Sequence, residues 1–246
     1  MIDLLLKLQT SLISATAQTR HTVVLPSFTA LISLDATHPG LNYAVPTAPI
    51  SELDLKDLCS VFEASSRLPR LEFFPFLWPE LPGTLAAAGF QCEAEYPLML
   101  LPRDSWRRRD SLTSRLIRPE EGVIAEKIAA VAFGTEDSMP SDGESTKAGV
   151  QSGRTLCALA KIDGQDVSTG FGIGDTIVRE MAGIATLPEF RRRGAATAVL
   201  DCLLSKFFED GGEVAWLSAG DDGSKAAYAK VGFVGAGVQA NWSRPT

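Results

Sequence analysis

The fold follows from the stretch EMAGIATLPEFRRRGAA, which occupies residues 180–196. Positions 181–186 carry short or apolar side chains and suit a buried strand, which Leu187 and Pro188 bring to an end. Positions 191–196 then begin a strongly helical run. The stretch therefore predicts a strand, a tight basic turn and the start of a helix.

This turn has the features of an anion-binding site. The first backbone N–H groups of a helix have no partner within the helix and lie at the positive end of its dipole. Small residues let a phosphate approach those groups, and here they are Gly194, Ala195 and Ala196. Positive charge comes from three consecutive arginines, Arg191, Arg192 and Arg193. A solvated basic turn without a ligand is the alternative interpretation.

Three motifs, taken in order, resemble one enzyme family. The form RxxGxA at 191–196 resembles the Gln/Arg-x-x-Gly-x-Gly/Ala signature of the GNAT N-acetyltransferases. The segment AAYAKVGF at 226–233 resembles the Tyr-x-x-x-Gly-Phe segment that ends the GNAT core, and the strand at 181–186 is the third match. The resemblance implies an α+β (α/β) GNAT fold. In that fold helices flank a mixed, mostly antiparallel sheet, and two central strands splay apart around the cofactor.

The resemblance also implies the cofactor, acetyl-CoA, and how it is held. In the family the basic turn binds the pyrophosphate, and backbone groups of the preceding strand pair with the pantetheine arm. That second role falls here on Ile184, Ala185 and Thr186. Where the family often has an asparagine ahead of its tyrosine, this chain has Asp221 and Ser224, and we take Ser224 as the candidate contact. No metal site is expected.

Two side chains are candidates for proton transfer. Tyr228 occupies the tyrosine position of the family, where the phenol protonates the departing thiolate; a plain core tyrosine is the alternative. Glu180 lies 11 residues before Arg191, similar to the spacing at which histone-acetylating relatives place their general base. A carboxylate in a partly apolar strand has a raised pKa and can accept a proton. An ordinary charged residue at a strand edge is the alternative for Glu180.

The two halves of the sequence resemble each other. A shift of 143 positions places VAWL at 214–217 on LEFF at 71–74, and the Gly-Phe pair at 232–233 on the pair at 89–90. Strand, crossover helix, strand and helix recur in one order. We therefore predict two GNAT-like units in tandem, a degenerate one at 1–102 and a catalytic one at 112–246.

The first copy lacks the chemistry of the second. Its turn, near residues 48–53, has neither glycine nor arginine, and Pro49 removes a backbone donor. Leu85 stands where the second copy has Tyr228. We expect the first copy to pack against the second or to shape the substrate site.

Composition limits the remaining possibilities. The chain has 246 residues, 45% hydrophobic and 22% charged, which is ordinary for a globular protein. No apolar run approaches the roughly 20 residues that span a bilayer, and the start of the chain has no basic leader, so we expect a cytoplasmic protein without a membrane partner. A net charge of −7 argues against nucleic-acid binding and mildly favours a cationic or amine substrate.

Three features lead to weaker expectations. The arginine-rich stretch 102–110 predicts an exposed linker rather than a nucleic-acid patch. Residues 134–153, rich in Gly, Ser, Asp and Glu, predict a mobile loop over a substrate cleft. Pro97 predicts an edge strand or a bulge.

The sequence thus favours an N-acetyltransferase that moves the acetyl group of acetyl-CoA to a primary amine of a small molecule or peptide, acting as a monomer or homodimer. A non-catalytic acyl-CoA-binding or regulatory protein is the second hypothesis. A nucleotide-phosphate protein is the third, but the chain lacks the Gly-Lys-Ser/Thr of a P-loop.

Overall fold

The structure is a computed structural model and describes residues 1–109, 114–139 and 142–245. Up to residue 109 the elements are, in chain order, α1 (Ile2–Thr16), β1 (His21–Val24), β2 (Phe28–Ile32), β3 (Asn42–Pro46), α2 (Glu52–Ala64), β4 (Arg70–Phe73), α3 (Leu81–Ala87) and β5 (Gln91–Pro102). From residue 114 they are β6 (Ser114–Leu116), α4 (Gly122–Phe133), α5 (Glu144–Gln151), β7 (Thr155–Ile162), β8 (Gln165–Gly174), β9 (Val178–Thr186), α6 (Ala195–Glu209), β10 (Val214–Ser218), α7 (Asp222–Val231) and β11 (Val234–Ser243).

All of these strands join one sheet, in the order β1-β2-β3-β4-β11-β5-β10-β9-β8-β7-β6. Among the described strands two neighbouring pairs are parallel, β3 with β4 and β9 with β10, and the others are antiparallel. The sheet is therefore mixed and mostly antiparallel, with helices on its faces, as the sequence predicted.

The last strand of each half lies against the other half. After β4 and α3 the chain continues into β5, yet β5 pairs with β10 and β11. After β10 and α7 it continues into β11, yet β11 pairs with β4 and β5. The two halves thus exchange their final strands, and the sheet continues without a break from β1 to β6.

The internal repeat extends to the loops between elements. In both halves a helix, three antiparallel strands, a crossover helix, a strand, a helix and a final strand follow one another. Each final strand is preceded by a glycine with positive φ, +83° at Gly89 and +116° at Gly232. The amide of the next residue donates to the helix carbonyl five positions earlier, at 2.9 Å to Leu85 and 3.1 Å to Tyr228. Equivalent positions therefore make equivalent backbone bonds.

The apolar core lies on both faces of the sheet. On one face of the second half, α6 packs Leu203 and Leu204 against Met181 and Leu217. On the opposite face, α1 packs Leu5 and Leu8 into a cluster that contains residues from both halves: Phe74, Leu98, Leu100, Val178 and Trp216. Helix α1 therefore joins the two halves through its apolar side.

Two of the weaker expectations were wrong. The segment predicted as a mobile loop contains α5, because the carboxylate of Glu126 accepts hydrogen bonds from the amides of Gly143 and Thr146, at 2.7 and 3.1 Å, and so caps that helix. Pro97 lies in the central strand β5, not at an edge, and the nearby irregularity belongs to β11, between Gly235 and Gly237.

The stretch predicted to be exposed is exposed at every described position from 102 to 109 except Trp106, which is half-buried. The ring of Trp106 packs against Phe208, with 5.3 Å between ring centroids, while Arg108 is exposed and pairs with Glu209 at 2.7 Å. Residue 110 of this stretch lies outside the described residues, as do residues 112–113 of the strand that the sequence predicts at 112–117.

Candidate functional site

The basic turn leads from β9 into an uncapped helix. Pro188–Phe190 form a 3-10 turn, and Arg192 and Gly194 then have positive φ angles of +62° and +87°. Helix α6 begins at Ala195, and no side chain caps it. Its first internal hydrogen bond runs from the amide of Ala198 to the carbonyl of Gly194, at 3.0 Å. The amides before Ala198 are thus free to bind an anion.

An open pocket lies over these amides. Its volume is about 240 Å³, and it is lined by Thr186, Phe190, Arg191, Arg192, Gly194, Ala195, Ala196 and Thr197. A Cβ atom placed on Gly194 would meet nothing within 4 Å and would project into open space. The absence of a side chain there leaves the helix terminus accessible.

The three arginines of the turn have different roles. Arg191 is structural, because its Nε donates to the carbonyl of Thr186 at 3.2 Å and its Nη2 to the carbonyl of Ala132 at 2.8 Å. Arg193 pairs with Asp163 at 2.9 Å. Arg192 has neither a hydrogen bond nor an ion pair to any described residue. Arg192 is therefore the arginine that is free to meet an anion in the pocket.

Next to the turn, β9 separates from β10. The two strands pair only along the first three residues of β9, ending where Trp216 meets Glu180. A bulge at Gly183, where φ is +57°, then shifts the register of β9 against β8. The edge of β9 that faces β10 has no strand partner from Met181 onward. An extended ligand could lie in this opening and hydrogen-bond to the backbone.

Two of the three predicted backbone positions already accept a hydrogen bond from a side chain. The carbonyl of Ala185 accepts from the hydroxyl of Ser168 at 2.6 Å, and the carbonyl of Thr186 accepts from Arg191. A carbonyl oxygen has two lone pairs, so both can still accept a second bond. No such local bond engages the carbonyl of Ile184 in the described part of the chain.

Tyr228 lies on α7 and faces the same apolar cluster as Ile184 and Leu187. Its ring contacts that of Phe233, with 6.3 Å between centroids. Burial raises the pKa of Tyr228 to about 12, and the charge of Asp221 acts in the same direction. The phenol therefore keeps its proton at neutral pH. Its hydroxyl makes no hydrogen bond to any described residue.

Ser224 has a local role that the sequence did not indicate. Its amide donates to the carboxylate of Asp221 at 2.6 Å, and the amide of Asp221 donates to the Ser224 hydroxyl at 3.1 Å. This reciprocal pair is a capping box at the start of α7. The hydroxyl of Ser224 is thereby committed to the helix.

Glu180 lies on the opposite face of β9 from α6 and is half-buried. Burial, with a smaller contribution from the nearby carboxylate of Glu72, raises its pKa to about 8, against the opposing effect of Arg20. The Glu180 carboxyl therefore has a pKa close to neutrality, far above the ordinary value of 4.5. Both neighbours belong to the first half of the chain.

The equivalent helix of the first half is closed to anions. Its N-cap is Ser51, whose hydroxyl accepts from the amide of Asp54 at 3.3 Å, while the Asp54 carboxylate accepts from the Ser51 amide at 2.7 Å. Glu52 and Asp54 add negative charge to the first turn. A phosphate there would meet satisfied donors and like charges.

Sequence reasoning missed Arg20 and Glu72, which the structure brings near Glu180. Glu72 lies in a stretch that the sequence identified only as a strand, and Arg20 lies just before β1. No local motif marks either residue. The repeat offered the one available signal, the expectation that the first half shapes the substrate site.

In the described ranges, no helix combines the length and hydrophobicity required to cross a bilayer. In the same ranges, no three His, Cys, Asp or Glu residues gather in a way that could hold a metal ion.

One family model matches part of the chain. Residues 150–233 match the sequence model of the acetyltransferase (GNAT) family. A search of curated proteins found no match.

The whole chain is similar in fold to solved structures. A GCN5-related N-acetyltransferase from Kribbella flavida superposes with a TM-score of 0.77 at 22% identity, covering 97% of this chain and 94% of that one. A GCN5-related N-acetyltransferase from Sphaerobacter thermophilus gives 0.59 at 14% identity, covering 97% and 91%. A tandem GNAT protein from the clavulanic acid biosynthesis pathway gives 0.55 at 11% identity, covering 89% and 79%. At these identities the likeness establishes the fold.

Proposed function

We propose that this chain, whose residues 150–233 form a GNAT acetyltransferase domain, transfers the acetyl group of acetyl-CoA to a primary amine of a small molecule or peptide. The observation that carries the proposal is the uncapped start of α6, with Gly194 and the unpaired Arg192, next to the gap between β9 and β10. We further propose that residues 1–102 and 112–246 are the two copies of the repeat, and that the second copy holds the cofactor.

The described residues fit acetyl-CoA. The free amides of Ala195, Ala196 and Thr197, with the charge of Arg192, suit a pyrophosphate. The open edge of β9, at Ile184 in particular, suits the amides of a pantetheine arm. When bound, acetyl-CoA supplies the activated thioester. The pocket and the open strand edge are adjacent, because Thr186 ends β9 and also lines the pocket.

Two side chains would transfer the protons of the reaction, one as a general base and one as a general acid. During transfer, the amine nitrogen forms a bond to the acetyl carbon, and the bond from that carbon to sulfur breaks. The amine loses a proton, which Glu180 would accept directly or through water. The sulfur gains a proton, which Tyr228 would donate. Because the pKa of Tyr228 is about 12, well above the value of roughly 8.5 for a thiol, the phenolate left by this transfer would be short-lived and would regain its proton from water.

The direct test is release of free thiol from acetyl-CoA in the presence of a panel of primary amines, with mass spectrometry of each product. The proposal predicts thiol release above the hydrolysis background with at least one amine, together with an acetylated product. Binding of CoA without turnover of any amine would contradict the enzyme and support the acyl-CoA-binding alternative. Absence of CoA binding would contradict both.

A further inference from the structure

A row of polar side chains crosses the centre of the sheet on the face that α1 covers. Glu180 shares this face with Val178, and Ser218 shares it with Trp216, because alternate residues of a strand point to the same side. Tyr43 reaches the same face from β3, where its ring packs against Ile13 and Ala17. Two of the three strands between them also contribute to the row, through Glu72 on β4 and Gln239 on β11.

Hydrogen bonds join the middle of the row. The Nε2 atom of Gln239 donates to Oε2 of Glu72 at 3.1 Å, and the hydroxyl of Ser218 donates to the side-chain oxygen of Gln239. Glu72 is also paired with Arg70, which is buried and is held on its other side by Glu93 at 2.8 Å. The negative charge of Glu72 is therefore balanced within the sheet.

Arg20 meets this row from the segment before β1. Its guanidinium carbon lies 5.1 Å from the centre of the Tyr43 ring. Its Nη1 atom is buried and has no hydrogen-bond partner among the described residues. A buried guanidinium nitrogen is normally paired, because desolvation of an unpaired charged donor is costly. An unpaired one beside a candidate catalytic group indicates a ligand.

The neighbouring carboxyl groups do not neutralise Arg20. Glu72 is engaged by Arg70 and Gln239. Glu180 forms neither a hydrogen bond nor an ion pair with Arg20. The row thus presents a guanidinium from the first half that has no ion-pair partner among the described residues, on the same face as the proposed base of the second half.

We propose that Arg20 binds a carboxylate of the acceptor, so that the acceptor is an α-amino acid whose amine faces Glu180. This inference rests on the N-acetyltransferase function proposed above. The guanidinium fork matches a carboxylate geometrically, and the amine and carboxylate of an amino acid are close enough to reach two side chains of one polar row. The first half, without a cofactor site of its own, would then select the substrate for the second.

The test compares matched acceptors and matched variants. Each of the twenty common amino acids is assayed with acetyl-CoA beside the amine that lacks its carboxylate, for example leucine beside 3-methylbutylamine. We expect at least one amino acid to be acetylated with kcat/KM about 10²-fold or more above its amine, because a site with an unpaired donor rejects the analogue that cannot pair with it. Arg20→Met should remove this preference, through the KM of the amino acid, while the KM of acetyl-CoA stays unchanged.

Two further variants separate recognition from structure. Arg20→Lys keeps the charge and should restore part of the preference. Arg103→Met makes the same change at an exposed arginine outside the row. It should leave the kcat/KM values for the amino acid and for its amine, and the melting temperature, as in the wild type.

Acetylation of amines but of no amino acid, or an unchanged preference in Arg20→Met, would overturn this inference and leave the proposed function standing. No turnover of either class, in a protein that acetylates another amine of the panel, would overturn this inference alone, whereas no turnover of any amine would overturn both.

Discussion

Tyr228 combines a protonated phenol with a ring that is part of the core. The ring packs in the same apolar cluster as α6, whereas the hydroxyl is without a partner in the described structure. Removal of the oxygen should therefore leave the packing intact. We propose that this hydroxyl, which has no partner among the described residues, acts on the bound ligand.

We predict that Tyr228→Phe lowers kcat by roughly 10²-fold or more, the usual loss for a general acid. The melting temperature and the affinity for CoA should hardly change. The loss should shrink with an acetyl thioester of lower thiol pKa, since a better leaving group needs less proton assistance. The measurement is the steady-state rate of the wild type and of the variant with each of the two acetyl donors. If the variant reacts at the wild-type rate with each donor, Tyr228 is only a core residue.

Glu180 has a pKa that suits a base working slightly above neutrality. Burial and the charge of Glu72 raise it from 4.5 to about 8. The folded protein therefore holds this proton more tightly than the unfolded chain does. The contribution of this proton binding to the free energy of unfolding is fully present below pH 4.5 and is lost as the pH rises through about 8.

For Glu180→Gln we predict two effects. The wild-type kcat/KM for the acceptor should rise with pH through an apparent pKa near 8, and the variant should lose this limb. The free energy of unfolding should also fall less in the variant than in the wild type between pH 6 and 9, because the amide does not ionise. An unchanged pH profile of activity would remove Glu180 from the mechanism, whatever the stability data show.

The sequence could predict the role of a residue only where that role depends on neighbours in the sequence. Gly194 and Tyr228 were marked by short motifs. The motif could not distinguish Arg192 from its two neighbours, because their partners, Ala132 and Asp163, come from distant positions. Arg20 and Glu72 could not be predicted to approach Glu180 at all, since that proximity depends on the order of strands in the sheet.

At the scale of elements, the starts of α6 and α2 show how one crossover helix can bind an anion and its counterpart cannot. Both helices follow a strand with a parallel partner. In α6 a glycine with positive φ leaves the amides open, whereas in α2 a serine and two acidic residues occupy that end. The difference lies in the capping residues rather than in the fold.

A matched pair of variants tests this view of the turn. Arg192→Ala should weaken CoA binding by roughly tenfold and leave the melting temperature unchanged, because the side chain has no partner in the described structure. Arg191→Ala should lower the free energy of unfolding by about 1–3 kcal/mol, because two carbonyls lose a charged donor. Calorimetric titration and denaturant unfolding make the comparison. A reversal of the two effects would contradict the assignment.

Most elements were predictable from hydrophobic period and turn residues alone. The sequence predicts a strand at 155–162, which are the observed bounds of β7, and helices at 1–18 and 192–209, within a few residues of α1 and α6. The exception, α5, has a composition typical of loops and depends on a distant carboxylate, that of Glu126, for its N-terminal cap. Local propensity cannot anticipate a cap that another helix provides.

At the scale of the whole molecule, the exchange of β5 and β11 ties the halves together. Neither strand lies beside the strand that precedes it in its own half, so each half alone would leave a central strand unpaired. The sequence could not predict this exchange, because an exchanged strand has the same pattern as a local one. The repeat predicted two units but not where each final strand would lie.

The exchange predicts that the halves depend on each other. A fragment of residues 114–246 should be insoluble or unfolded alone, and should regain CoA binding when it is coexpressed with residues 1–109. Circular dichroism and calorimetric titration of the purified fragments provide the measurement. A fragment 114–246 that unfolds cooperatively and binds CoA unaided would show that the shared sheet is dispensable.

The most direct measurement is calorimetric titration of acetyl-CoA into the wild type, Gly194→Val and Gly211→Val. Both glycines have positive φ, at opposite ends of α6, and at each a Cβ would meet nothing within 4 Å. Both variants should therefore cost about 1–2 kcal/mol of backbone strain. We predict one acetyl-CoA per wild-type chain, the same binding in Gly211→Val, and none in folded Gly194→Val. Two molecules per chain, or wild-type affinity in Gly194→Val, would contradict a single cofactor site at the start of α6.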